Sequence, residues 1–438
     1  MQIGRFLGIN KINNEIKMRE TEIPKKEISL LEQGGGFDTV SFSIKKSEKF
    51  QDVRDELAKN VPDRTTTVEE KEKAISYIER MLKCDDITPE MKNYWSNKKD
   101  IIKMEIQSIK NEEQAGNDTD YQELEDEYYN FIQQHWCDNY PTERNENLDF
   151  LYSEEYGITF YNTCISYLNR MLAFENLPED KKEYFEQLIN HWNGEKQSRL
   201  GEINWYKQNN EMKTESFNDV FEEFSKNVPD STTTLEEKKL AAGYIKRMLT
   251  CDDIPADLKN YWSNKEDILR MEMQNILNNQ QIGNDESIND VANEWREFTD
   301  RYWNKTQEFD NTADRAEYYR SYFNMYISFC DRILTCKDIP DDVRQEWINM
   351  KMGAISDLNY HNRDLNEYNK ENGIKTESFK DVYEEFDRNV PDRTTTADEK
   401  YLALSYIERM LSCDDIPNNL KIYWQNKEAA IKNELEQF

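Results

Sequence analysis

The 438-residue chain has little of what breaks a helix: 13 glycines and 10 prolines. That scarcity excludes a turn-rich all-β fold and points to long helices. No apolar run approaches the roughly 20 residues that cross a bilayer. The start, "MQIGRFLGINKINN", falls short of the roughly 7–15 apolar residues of a secretory signal. Positive charge is also short: 57 Lys and Arg stand against 88 Asp and Glu, a formal net charge of −31. Phosphate backbones and anionic lipid need clustered cations, so neither a nucleic acid nor a membrane is expected as partner. A basic protein partner suits the balance.

The three histidines, His135, His191 and His361, do not align with one another in the chain's internal repeat, and no Ser, Cys or metal-ligand spacing surrounds them. There is no glycine-rich phosphate loop. No catalytic residue, cofactor or metal is assigned, and an enzyme is not expected. The place to look for one is a cleft at His135, Trp136 and Cys137. The seven cysteines are an odd number, and Cys84, Cys251, Cys336 and Cys413 recur singly after R-M-L-x or R-I-L-x. They read as small buried apolar residues of a reducing compartment, with a cytosolic location as default.

What is present is internal repetition. The stretch from Lys46 to Ile87 recurs from Lys213 at an offset of 167 and from Lys375 a further 162 on. Each copy carries "NVPDRTTT" or "NVPDSTTT" followed by R-M-L-x-C-D-D-I. Between the copies, 165–185 and 327–347 repeat the R-[MI]-L and proline-led pattern more loosely. The expected fold is all-α: a helical repeat array, solenoid-like, of five related three-helix units in A-B-A-B-A order. The units are A at 49–118, B at 119–212, A at 213–285, B at 286–374 and A at 375–438. The pattern matches none of the standard helical repeats. Residues 1–48 stand outside it as a leader or cap, with a faint strand signal at 34–46.

Within each A unit the first helix has a Phe50, Val53, Leu57 stripe and the second Ile75, Ile78, Leu82. The third starts near Pro89, Pro255 or Pro417 and stops at Gly116 or Gly283 in the first two copies. Tyr94/Trp95, Tyr261/Trp262 and Tyr423/Trp424 read as core, not stacking platforms. The "CDD" pairs lack the spacing of a calcium loop and read as N-caps of the third helix.

Opposite the second helix's apolar stripe lies another defined face. It holds Tyr77 and Arg80, repeated as Tyr167 and Arg170, Tyr244 and Arg247, Phe329 and Arg332, and Tyr406 and Arg409. Five arginines could form a ridge for phosphates or carboxylates. The aromatic and cysteine companions favour a buried structural seam, each guanidinium paired to a carboxylate such as the adjacent Asp pair.

"NVPDRTTT" reads as an elbow. Asn60 ends one helix in a left-handed cap, Pro62 blocks continuation, and Thr67 with Glu70 caps the next. Asp63/Arg64, Asp230/Ser231 and Asp392/Arg393 are not needed for that turn. They form a candidate protein-binding edge, and all three elbows should project from the same side. The expected function is a non-enzymatic acidic interaction scaffold, multivalent through the A units. The alternative is an exported effector or surface binder of a host-associated microbe, with 1–48 as secretion leader. An acidic nucleic-acid mimic and an unrecognised enzyme rank below both.

Overall fold

The computed structural model describes residues 48–436 apart from 63, 139–148, 175–176, 286, 304–308 and 310. The chain divides into Met1–Ser47, outside the described residues, and Glu48–Phe438. The leader-or-cap and strand readings for the N-terminal stretch fall in the former. Among the described residues there are fifteen α-helices and no strand. The fold is all-α, and no described helix is long and apolar enough to cross a membrane.

In chain order the helices are α1 Phe50–Asn60, α2 Val68–Met81, α3 Pro89–Gln114 and α4 Tyr121–Ile132, the last running into a π-helical turn at Gln133–Asp138. Then come α5 Asp149–Leu172, α6 Glu179–Asn209, α7 Phe217–Asn227, α8 Leu235–Leu249 and α9 Ala256–Gln281. The remainder are α10 Ile288–Tyr302, α11 Thr312–Leu334, α12 Asp341–Glu371, α13 Phe379–Asn389, α14 Ala397–Ser412 and α15 Asn418–Leu435. The longer helices pack in a continuous sequence: α2 on α3, α3 on α5, α5 on α6, α6 on α8, and so on to α14 on α15. The shorter α1, α4, α7, α10 and α13 pack mainly on α2, α5, α8, α11 and α14 respectively.

Local chemistry sets the ends. Thr67, Thr234 and Thr396 accept a hydrogen bond from the backbone of Glu70, Glu237 and Glu399, whose carboxylates accept from the threonine backbone in return. This satisfies donors that a helix start leaves free. Gly116 (φ +80°) and Gly283 (φ +81°) follow α3 and α9 in the left-handed region, where only glycine is unstrained.

Three expectations are corrected. Asn60, Asn227 and Asn389 do not adopt the left-handed cap; each is the last helical residue, and Val61, Val228 and Val390 follow in extended conformation. The asparagine amide instead donates to the phenol of Tyr77 (3.1 Å), Tyr244 (3.0 Å) or Tyr406 (2.8 Å), a bond that a left-handed backbone is not required to supply. The second aspartate of each CDD pair caps the short first helix, not the third: Asp86, Asp253 and Asp415 accept from the backbone N–H of Phe50 (2.8 Å), Phe217 (2.7 Å) and Phe379 (2.7 Å). The fold returns the end of the second helix to the start of the first, and that carboxylate meets its unpaired donors. Finally, the buried stripe of α2 is Lys71, Ala74, Ile78 and Met81, while Ile75 and Leu82 are half-buried on its borders. Its centre is Ile78, as the spacing implies; its width reflects the helices packed on both sides.

Helices α6 and α8 approach closely at a pair of glycines. A Cβ on Gly243 would lie 2.6 Å from the Gly194 carbonyl oxygen, so the two backbones are nearly in contact. Gly243→Ala should lower unfolding free energy by about 1–3 kcal/mol through forced separation. Gly353→Ala, at an exposed site in α12 with nothing within 4 Å, should raise it by about 0.5–1 kcal/mol. Urea unfolding of both variants checks the contrast.

Candidate functional site

The arginines of the second face share one arrangement. Arg247 Nη2 and Nε grip Glu215 (2.5 and 2.9 Å), and Nη1 reaches Glu223 (2.7 Å) and Gln197 Oε1 (2.8 Å). Arg409 holds Glu377 (2.5 and 3.0 Å), Glu385 (2.7 Å) and Asn359 (2.9 Å) in the same way. Arg332 holds Asp285 (2.8 and 2.9 Å), Glu294 (2.8 Å) and Asn278 (2.9 Å). Arg170 takes Asp118, Glu127 (3.0 Å) and Asn111 (3.2 Å). In every case the first carboxylate precedes the short helix, the second lies on it, and the amide comes from the long helix packed behind. Arg80 has both carboxylates, Glu48 (2.7 Å) and Glu56 (2.8 Å), but no amide among the described residues. Its side chain is 36% exposed, against 2–6% for the other four.

One correction follows. The carboxylate partners are not the adjacent CDD aspartates, of which the second in each pair is engaged at the first helix. Four of the five guanidiniums have their donors committed to these acids and amides, so they form no open ridge. The aromatic companions are buried too: Tyr167, Tyr244, Phe329 and Tyr406 are at most 5% exposed. Arg80 lies over the Tyr77 ring at 5.3 Å and Arg332 over Phe329 at 5.7 Å. Glu48, Glu215 and Glu377, and Glu56, Glu223 and Glu385, went unremarked in the sequence. Their signal was an acid kept at the same place in all three A copies.

The elbows are clamped from beneath. Lys71 Nζ donates to the Thr65 carbonyl (3.0 Å) and to Glu105 (2.6 Å), and Lys238 does so to Thr232 (2.8 Å) and Glu272 (2.7 Å). Lys400 pairs with Glu434 at 3.0 Å. These buried lysines were also missed; each falls on the core face, three residues before Ala74, Ala241 or Ala403. Above the clamp Arg64, Asp230, Ser231, Asp392 and Arg393 are exposed, and none has a hydrogen-bond or ion-pair partner among the described residues. Asp63 lies outside the described residues. At the first two elbows a cleft is bordered by the clamp pair and by α5 or α11, so those two occupy corresponding places.

A further cleft, about 530 Å³, is lined by α3, α4, the π-turn and Tyr167, and includes His135. His135 is buried, its ring tilted against Phe131 at 4.8 Å, and burial lowers its pKa. The Tyr156 hydroxyl donates to the His135 carbonyl (3.2 Å), as the Tyr318 hydroxyl does to that of Tyr302 (3.2 Å). His135–Trp136 therefore corresponds to Tyr302–Trp303 and follows the repeat pattern. His191 lies 3.2 Å from Glu236, and His361 is stacked on Tyr319, its pKa pushed down to about 4 by burial. Of the Tyr-Trp pairs, Trp262 and Trp424 are buried and Trp95 half-buried, but Tyr423 is 56% exposed and so is not core.

Compared with known proteins, the chain matches no family model, no curated protein and no solved structure.

Arg247→Met leaves two carboxylates and an amide without their cation and should cost about 3–5 kcal/mol. Arg80→Met, on the open face, should have the smallest effect of the five equivalent substitutions in thermal denaturation. Burial raises the pKa of Glu215, but its bonds with Arg247 prevail and hold it below the ordinary carboxylate range. With the folded value below the unfolded one, near about 4.3, its contribution is full above that pH and disappears as pH falls through the folded value. Glu215→Gln should therefore lower Tm at pH 7, and the gap from the parent should close on titration toward about pH 2.

Proposed function

We propose that the chain is a non-enzymatic helical-repeat scaffold that presents the same docking element to protein partners several times. Its units are the five three-helix segments in A-B-A-B-A order, each burying a face of the next. Two things support this organisation: the internal sequence repeat, and the recurrence of one arginine with two carboxylates in every unit.

The docking reading is carried by one observation. On elbows fixed by a capping box and a buried lysine, Arg64, Asp230, Ser231, Asp392 and Arg393 remain exposed with no partner among the described residues. A rigid turn with unspent charge presents its side chains without the cost of ordering the backbone, which favours recognition. Repeated elbows on one array give avidity, since a second contact forms at high effective concentration. The net charge of −31 selects a basic partner and speeds its approach.

Reversal of Asp63, Asp230 and Asp392 to Lys is the test. The triple variant should melt within about 2 °C of the parent, because surface changes away from special features cost little. Immobilised parent chain should retain a protein from extracts of the native source that the variant loses, more strongly with three elbows than with one. Equal retention by parent and variant rejects the docking edge.

A further inference from the structure

The three A copies are not identical at one place. In α7 and α13 the ring of Phe221 or Tyr383 lies against the indole of Trp262 or Trp424, at 5.9 and 6.1 Å, and Phe224 or Phe386 closes in at 5.5 or 5.4 Å. In α1 the corresponding residues are Arg54 and Leu57. A cleft of about 600 Å³ opens beside Trp95, with apolar walls from Leu57, Val61, Pro62, Ile101 and Ile102. Its size is that of a small-ligand site.

The charges around this cleft are uneven. Lys71 and Lys98 are neutralised by Glu105 and Glu155, both at 2.6 Å. Arg54 and Arg64, which also line the cleft, are exposed and have no ion-pair or hydrogen-bond partner among the described residues. Two exposed guanidiniums thus stand at the mouth of an apolar slot, in a chain that is strongly acidic overall.

We infer that this cleft is a binding site for a small aromatic anion, a planar ring bearing a carboxylate or sulfonate. The ring takes the place that Phe221 and Tyr383 fill in the other two copies, steeply inclined to the indole of Trp95 as theirs are to Trp262 and Trp424. The anion meets Arg54 and Arg64, whose planar forks match a carboxylate or sulfonate. The long-range repulsion from the acidic surface is screened beyond about 8 Å at physiological salt, so the two local cations decide binding. This site goes beyond the scaffold reading and does not depend on it.

The probe is 8-anilinonaphthalene-1-sulfonate, titrated into the full chain by fluorescence and calorimetry. One saturable site per chain is expected. Arg54→Phe with Leu57→Phe, which restores the pattern of the other copies, should weaken binding at least tenfold with Tm unchanged or raised. Arg54→Glu, an exposed substitution, should weaken it as strongly. The reciprocal Phe221→Arg with Phe224→Leu and Ser231→Arg, which supplies both guanidiniums, should create a second site, and neutral N-phenyl-1-naphthylamine should bind about tenfold more weakly than the sulfonate. Binding that Arg54→Glu and the double Phe variant leave undiminished, or no saturable binding at all, overturns the assignment.

Discussion

One buried ion cluster organises the described part of the chain. An arginine on each of α2, α5, α8, α11 and α14 gathers one carboxylate from the strap before a short helix and another from that helix itself; in four of the five it also takes an amide from the long helix behind. A charge withdrawn from water is tolerated only when its hydrogen-bonding capacity is nearly exhausted. The bidentate grip and the second acid meet that demand with named donors and acceptors. The cluster therefore fixes three neighbours at once. An apolar contact of similar area would tolerate sliding; this geometry does not.

Much of this was readable beforehand. Period and repetition located the helices, because Ile78, Met81 and Cys84 recur at fixed spacing and few glycines or prolines interrupt them. Arginine at the same place in five segments, beside an aromatic, pointed to a buried face. The partners were less legible. Glu215 and Arg247 are 32 positions apart, and an acid among 88 carries no mark of its own. The CDD aspartates show the same limit from the other side: they stand next to the third helix in sequence, yet the chain turns back so that Asp253 meets Phe217. Short-range rules find the residue that needs a partner; only the tertiary path selects it.

Near-identical copies also work as internal controls. Lys71 and Lys238 hold the same bonds to their elbows and to an acid of the third helix, and Lys400 keeps the pairing with the acid. Against that constancy, the exchange of two rings for Arg54 and Leu57 changes both the shape and the charge of one copy alone. His135 illustrates the converse: its carbonyl accepts the same tyrosine hydroxyl bond as that of Tyr302, and the resemblance removes any need to treat it as special.

The short helices have their main packing on one neighbour each, yet every one carries half of an arginine's acid complement. Detaching such a helix would expose the apolar side chains it buries, Val53, Leu124, Tyr128, Phe217 and Val220 among them, and would also part a guanidinium from one of its acids. Each short helix is thus a latch held both electrically and hydrophobically. A ligand or partner that supplied a replacement carboxylate would compete only for the electrical half of that hold.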